Sequence, residues 1–331
     1  MDVCKFDSCD DYMKIGLIDI DYNGSFPNIP LMKISAWRKS QGHTVEWYMP
    51  FGERYDVVYV SKVFSWSEDY KDVINADQVW YGGSGYQIKN VNGKEEWDHL
   101  VLDKDHFYLS LPPEIEHIYP DYSLYPTLTK DTAYGFLTRG CPRGCSFCHV
   151  AAKEGRCSKK VADLSEFWRG QKNIVLCDPN ILACKDWKEL LQQLIDSKAY
   201  IDLNQGLDIR MMTEEKAEML CAMKIKEIHF ALDRYEDKDI ILPKFKMFAD
   251  CANLNPHGHK SIVYTLVNFN TTIEQDLERI YTLRDMGYWA YVMIYDKEHA
   301  SQTHKHLARW CNNRRIFATT PRFEDYNPKL V

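Results

Sequence analysis

The chain has 331 residues, 45% of them apolar, enough for two domains or one large α/β domain. Its net charge of −7 is uneven, with 21 acidic against 12 basic side chains in residues 1–130 and 27 against 29 in residues 131–331, so the broad basic footprint of a nucleic-acid binder is missing. No apolar run reaches the roughly 18 to 20 residues of a membrane span, and the acidic start Met1–Asp11 lacks a charged-then-apolar leader; the expected location is the cytoplasm.

The eleven cysteines, an odd number, point to reduced thiols rather than a disulfide frame. Residues 1–12 read as a flexible terminus, where Cys4 and Cys9 are ordinary thiols or ligands of a second site. Residues 13–90 read as one domain. Strands are predicted at 14–21, 43–49, 56–63 and 78–81, with an amphipathic helix over 30–41 that stops at Gly42. Strands alternating with helical stretches imply a parallel, doubly wound sheet. Gly82-Gly-Ser-Gly85 is either a tight turn or a close backbone approach to a ligand, and it does not fit the dinucleotide fingerprint. Residues 91–130, broken by Pro112, Pro113, Pro120 and Pro126 and rich in tyrosine, form a structured linker.

From 131 to 300 six more strands are predicted, at 133–138, 173–177, 200–203, 227–232, 261–267 and 290–295, with helices such as 186–197, 213–223 and 272–286 between them. Straight after the first of these strands comes Cys141-Pro-Arg-Gly-Cys145-Ser-Phe-Cys148, three thiols spaced four and three positions apart. Three ligands are one short of a closed zinc or iron–sulfur site, so either one iron is left open or His149 or Cys157 completes a zinc knuckle. Pro142 and Arg143 keep the segment out of a helix, and Gly144 lets it fold back. Residues 301–331 are a short tail, with an amphipathic stretch 304–310 expected to cover the end of the domain before it.

The cysteine spacing, with Phe147 before the last Cys, resembles the CxxxCxxC signature of the radical S-adenosylmethionine (radical SAM) superfamily. That resemblance implies a partial (β/α)6 barrel in which Cys141, Cys145 and Cys148 ligate a 4Fe-4S cluster. Its open iron chelates the amino and carboxylate groups of SAM, and one electron cleaves SAM to methionine and a 5'-deoxyadenosyl radical. It implies an electron donor such as flavodoxin or ferredoxin. Chemistry in such folds sits at the carboxyl ends of the strands. The family's Glu for the SAM amino group is replaced by Asp178-Pro-Asn180, so that role passes to Asp178 or Asn180, the alternative being a plain Asp-Pro turn. Gln205, Asp208 and Arg210 follow the third strand, with Arg210 suited to the SAM carboxylate; a surface ion pair is the competing account. Asp233 is placed for the ribose hydroxyls or as a helix cap, and Asn268 and Phe147 for the adenine; Tyr295 is more simply packing.

Residues 13–90 resemble the Rossmann-like cobalamin-binding domain of one radical SAM branch. The loop after the first strand, Asp21-Tyr-Asn-Gly-Ser-Phe-Pro27, contains no His, so this is a degenerate relative without the lower cobalamin ligand. The expectation is a radical SAM enzyme acting on a small molecule, a nucleoside or RNA, or a peptide. A cobalamin-dependent methyltransferase and a non-catalytic iron–sulfur or zinc protein are the alternatives.

Overall fold

The structure, a computed structural model, describes residues 12–91, 94–97, 107–108, 110–255 and 260–329. Cys4, Cys9 and part of the expected linker lie outside the described residues. Two compact units are present, one up to Tyr134 and one from Gly135 onward.

In the first unit, β1 (Lys14–Asp19) is an apolar run followed by α1 (Ile29–Ser40). Asn28 caps that helix by accepting from the Leu31 N–H at 3.1 Å. Next come β2 (Thr44–Trp47), β3 (Tyr55–Ser61) and β4 (Ala76–Gly82), then an antiparallel ribbon of β5 (Ile88–Val91) and β6 (Lys94–Trp97), and the short β7 (Phe107–Tyr108). The sheet order is β2-β1-β3-β4-β7 and every pairing in it is parallel. The order reverses beside β1, which puts a topological switch point between β1 and β3.

A parallel sheet must be covered on both faces. Ile15, Leu17, Val57 and Tyr59 pack against Leu31 and Ile34 of α1 and against Ile115 of α2 (Pro113–Glu116). Tyr55, Val58 and Val60 form the other core with Ile18 and Tyr48, and there Tyr70 and Ile74 of the β3–β4 link provide the cover. Neither that link nor the β2–β3 link contains a helix, so a loop stands where a second helical layer was expected.

The expected linker is built into this unit where it is described. Tyr125, just before α3 (Pro126–Thr129), is 2% exposed and donates to Asp19 at 2.6 Å. Asp121 accepts from Ser35 and Lys39 of α1, both at 2.6 Å. The glycine turn after β4 is explained within the chain itself: Gly83 has φ +102, and a Cβ there would meet the Lys62 carbonyl at 2.1 Å.

The second unit's sheet starts at β8 (Thr132–Gly135). The strand expected at 133–138 is split, because the chain breaks after Gly135 and resumes as β9 (Thr138–Arg139). After α4 (Val150–Glu154), β10 (Lys159–Lys160) pairs antiparallel with β9. The alternation then runs β11 (Asn173–Leu176), α5 (Trp187–Ser197), β12 (Tyr200–Leu207), α6 (Glu214–Cys221), β13 (Lys224–Ala231) and α7 (Lys238–Ala252). It ends with β14 (Ser261–Val267), α8 (Ile273–Asp285) and β15 (Trp289–Ile294). The six strands stand in the order β8-β11-β12-β13-β14-β15, and the pairings from β11 to β15 are parallel. This is a partial (β/α)6 barrel, with Phe230, Phe245, Phe248 and Tyr288 packed between sheet and helices.

In the tail, α9 (Gln302–Asn312) buries Leu307, Trp310 and Cys311, and α10 (Arg314–Thr319) follows. The tail runs along the last strand: Trp289 donates to the Cys311 carbonyl at 3.0 Å. The Asn312 amide accepts from the Val292 N–H at 2.7 Å and donates to its carbonyl at 2.9 Å. One side chain thus satisfies part of the open edge of β15. No helix among the described residues is long and apolar enough to cross a membrane.

Candidate functional site

The cysteine loop leaves and re-enters the barrel through the β9–β10 hairpin. Gly140 makes the exit with φ +83, where a Cβ would meet the Cys157 carbonyl at 2.3 Å. Cys141 N–H donates to Gly155 O at 3.1 Å, and Glu154 accepts from Arg139 at 2.9 Å and from the Gly140 N–H at 3.0 Å. The fold-back expected of Gly144 belongs to Gly140; the space beside Gly144 is taken by the Arg156 guanidinium. Cys141 and Cys145 are half-buried and Cys148 is exposed. Desolvation of the sulfurs raises the Cys145 and Cys148 thiols; Cys145 also feels the charge of Cys148, Asp233 and Cys141, and Cys148 that of Cys141, Asp233 and Glu154. Among the described residues no three His, Cys, Asp or Glu side chains gather around the position of a single ion.

Asp178, at the end of β11, is 3% exposed and turns toward the break between β8 and β9. Its carboxylate accepts from the N–H groups of Leu137 and Thr138, at 3.0 and 2.6 Å, and from the Thr138 hydroxyl at 2.7 Å. These bonds hold the chain just before the first cysteine. Burial nevertheless pushes its acid up to about 6. Asn180 faces the other way: its Nδ2 donates to the Cys141 Sγ at 3.5 Å, while its Oδ1 is buried with no hydrogen-bond partner.

Asp208 caps a short turn after β12 and is shared between two arginines. It accepts from Arg143 of the cysteine loop at 2.6 Å and from Arg210 at 2.7 Å. Arg210 also reaches Asp237 at 3.2 Å, and its charge is felt at Cys145. Gln205 is exposed and lies within β12, which runs four residues beyond the expected Leu203 and pairs irregularly with β13 over that stretch.

At the end of β13, Asp233 has its acid raised to about 6 by burial, against the opposing charges of Arg279 and Arg210. Arg279, 2% exposed, donates to the carbonyls of Leu232, Asp233 and Leu266 and to the Asp276 carboxylate. It ties the carboxyl ends of β13 and β14 to α8. Asp276 accepts in turn from the Asn268 N–H at 3.3 Å. Asn268 (φ +63) and Asn270 (φ +54) form a left-handed turn around Phe269. The Phe269 ring meets Phe147 at 5.3 Å and Tyr295 at 4.8 Å, edge to face. The Asn268 amide donates to the Tyr295 carbonyl at 3.1 Å.

The carboxyl ends of β11 to β15 therefore gather Asn180, Asp208, Arg210, Asp233 and Asn268 on the side where Cys145, Cys148 and Phe147 sit. No family model matches the chain, and no curated protein matches it in sequence. Two solved structures of the cobalamin-dependent S-adenosylmethionine radical enzyme OxsB do share its architecture. The form with aqua-cobalamin and S-adenosylmethionine bound matches with a TM-score of 0.52 at 10% identity, and the form with aqua-cobalamin bound with 0.52 at 9%. Each match covers 93% of this chain and 56% of the OxsB chain, so this chain spans little more than half the length of that enzyme. The fold is the one that OxsB has over the matched part.

Within this fold, the residues that sequence reasoning missed are supports. Arg143, Asp237, Asp276 and Arg279 hold other groups in place. Their one sequence signal was Asp276 and Arg279, three positions apart on a helix stripe otherwise filled by Ile280 and Leu283.

Proposed function

We propose that this chain is a radical SAM enzyme in which Cys141, Cys145 and Cys148 hold a 4Fe-4S cluster whose fourth iron takes SAM. The observation that carries the reading is the three-thiol loop at the carboxyl edge of the six-stranded sheet, where Asn180 donates from Nδ2 to Cys141 and keeps an unpartnered acceptor, Oδ1. Three thiols close enough to perturb one another, one short of the four ligands of a closed site, suit a cluster with one iron left open. The cluster, when bound, supplies the electron that cleaves SAM to methionine and a 5'-deoxyadenosyl radical.

The chain's own residues bind and orient. Asn180 Oδ1 is suited to accept from the SAM ammonium, the role first shared with Asp178, whose oxygens already accept from backbone. Arg210 is suited to the carboxylate, Asp233 to the ribose hydroxyls, and Asn268 with Phe147 to the adenine. Gln205 keeps its place as a candidate contact. The reductant is an electron donor such as flavodoxin or ferredoxin, and the cytoplasm suits an oxygen-sensitive group. The substrate is a small molecule, a nucleoside or RNA, or a peptide.

The test is anaerobic reconstitution, with iron and sulfide counted per chain, followed by reduction with SAM present. Release of 5'-deoxyadenosine, lost together with the cluster in Cys145→Ala, is the expected result. A cluster without that product would leave a non-catalytic iron–sulfur protein.

A second reading, a cobalamin-dependent enzyme, is favoured by the parallel sheet of the first unit and by the cobalamin bound in the OxsB structures. Against it, the loop after β1 has no His, and its Asp21 is engaged by the Val63 N–H and the Ser67 hydroxyl. A corrinoid absorbance band after incubation with hydroxocobalamin would support this reading, and its absence would remove it.

A further inference from the structure

Below the strand ends, the inner face of the barrel sheet carries a second polar set that the reading above leaves unused. Ile201, Leu203, Ile228 and Phe230 are at most 2% exposed in the layer under the helices. Alternation along each strand therefore turns Asp202, Glu227 and His229 to the opposite face. Asp202 pairs with Glu227 across β12 and β13, and Tyr264 with Tyr291 across β14 and β15. The His229 ring lies nearly parallel to Tyr264 at 5.2 Å, and Tyr264 meets Tyr291 edge-on at 5.9 Å.

Hydrogen bonding in the set is incomplete. His229, 5% exposed, donates from Nδ1 to the Leu203 carbonyl at 2.9 Å, which fixes that tautomer. Its Nε2 stands 3.9 Å from a Glu227 oxygen, and the other Glu227 oxygen lies 3.6 Å from Arg314. Asp202 is less well matched. One of its carboxylate oxygens, Oδ1, is buried without a hydrogen bond, and among the described residues its nearest ion-pair partner is His229 at 4.0 Å. A carboxylate oxygen buried without a donor is costly, and such groups in folded proteins normally mark a missing partner.

We infer that this face binds the cationic end, an amine or a guanidine, of an extended substrate. The inference rests on the radical SAM reading and names a substrate class for it. Asp202 is the counter-ion, His229 Nε2 a second acceptor, and the faces of Tyr264 and Tyr291 take the cation and the methylenes beside it. Asp233 stands four positions beyond His229, just past the end of β13, about 13 Å for extended backbone. A linear amine seated on Asp202 therefore runs its carbon chain up the sheet toward the end where the loop cysteines stand.

The test uses the reconstituted protein with its cluster and SAM, titrated calorimetrically with agmatine and spermidine, and with neutral hexanamide and anionic hexanoate of similar length. The cations are expected to bind about tenfold or more tighter than hexanamide, and Asp202→Asn to remove that preference. Equal binding of all four probes by the wild-type protein, or an undiminished preference in a folded Asp202→Asn, would overturn the inference. If that variant does not fold, the wild-type charge selectivity decides alone. Release of 5'-deoxyadenosine by the wild-type protein is read separately. Cation binding without that release supports this site while sinking the radical SAM reading, and release without charge selectivity does the reverse.

Discussion

Arg143 donates from Nε to Asp208 Oδ2 at 2.6 Å, the ion pair that ties the cysteine loop to the end of β12. The other Asp208 oxygen accepts from Arg210, so one carboxylate, 7% exposed, holds two guanidiniums that would otherwise repel.

Asp208→Asn leaves a single acceptor oxygen and sets an amide N–H toward an arginine. Because Arg143 and Arg210 are 37% and 29% exposed, solvent screens part of the effect, and the expected loss of stability is about 1–3 kcal/mol. The larger effect falls on the loop, where a lost support of this kind weakens metal affinity about 10-fold or more. Urea unfolding and iron content after reconstitution measure the two effects. Wild-type values in both would show that the pair does not order the loop.

Asn180 makes two separable contributions. Its N–H to the Cys141 sulfur stabilises negative charge on a ligand, which raises the potential of a cluster bound there. Its oxygen has no hydrogen-bond partner and, in the function proposed above, accepts from the SAM ammonium. Asn180→Ala removes both, so SAM affinity should fall about tenfold and the midpoint potential should drop. Asn180→Asp keeps the acceptor and loses the donor, so the potential drops while SAM affinity is retained. Equilibrium dialysis and an EPR-monitored redox titration distinguish the two, and equal SAM affinity in all three proteins would remove the assigned role.

Burial sets the sign of a pH effect at Asp178. Its acid lies at about 6 in the folded chain against an ordinary 3.8. Between those values the folded chain keeps a proton that the unfolded chain has released. This contribution is fully present below about pH 4 and is lost as pH rises through about 6, with a slope of at most about 1.4 kcal/mol per pH unit. Asp178→Asn removes it. Urea unfolding between pH 4 and pH 7 should therefore show wild-type stability falling relative to the variant by about 1–3 kcal/mol. Parallel curves would mean that Asp178 is already ionised at the low end.

The barrel strands and the cysteine loop were legible because local rules encode them. An apolar run marks each strand, Thr272 with Gln275 forms the capping box that opens α8, and Gly287 closes it. The cofactor role stayed open between Asp178, Asn180 and a plain turn because an Asp-Pro pair at a strand end carries no record of its spatial neighbour. Only the folded sheet shows that the strand breaks after β8 beside Asp178. Gly144 was given the fold-back that Gly140 makes, since the need for positive φ depends on where Cys157 returns. The inner-face set around Asp202 lies on four strands, and its members come together only once the register of those strands is known. The covering of the first unit's second face by a loop was likewise hidden, because apolar residues such as Tyr70 and Ile74 fall in no periodic pattern.

The last prediction concerns thiols away from the loop. Cys221, at the end of α6, and Cys251, near the end of α7, are exposed and their sulfurs lie 3.2 Å apart. In a βα unit the carboxyl ends of the helices lie opposite the carboxyl ends of the strands, so this pair stands at the other end of the barrel from Cys141. Diamide, which takes up two hydrogens as the two thiols join, should convert the pair to an intramolecular disulfide and leave the chain about 2 Da lighter. Burial and the neighbouring thiol push Cys221 up to about 12, and the thiolate is the attacking species, so conversion should be slow at pH 7 and faster at pH 9. Peptide mapping under non-reducing conditions identifies the link, and Cys221→Ser should abolish it. A Cys221–Cys251 peptide missing from diamide-treated wild-type protein at both pH values would show that the helices do not hold these sulfurs in reach of each other.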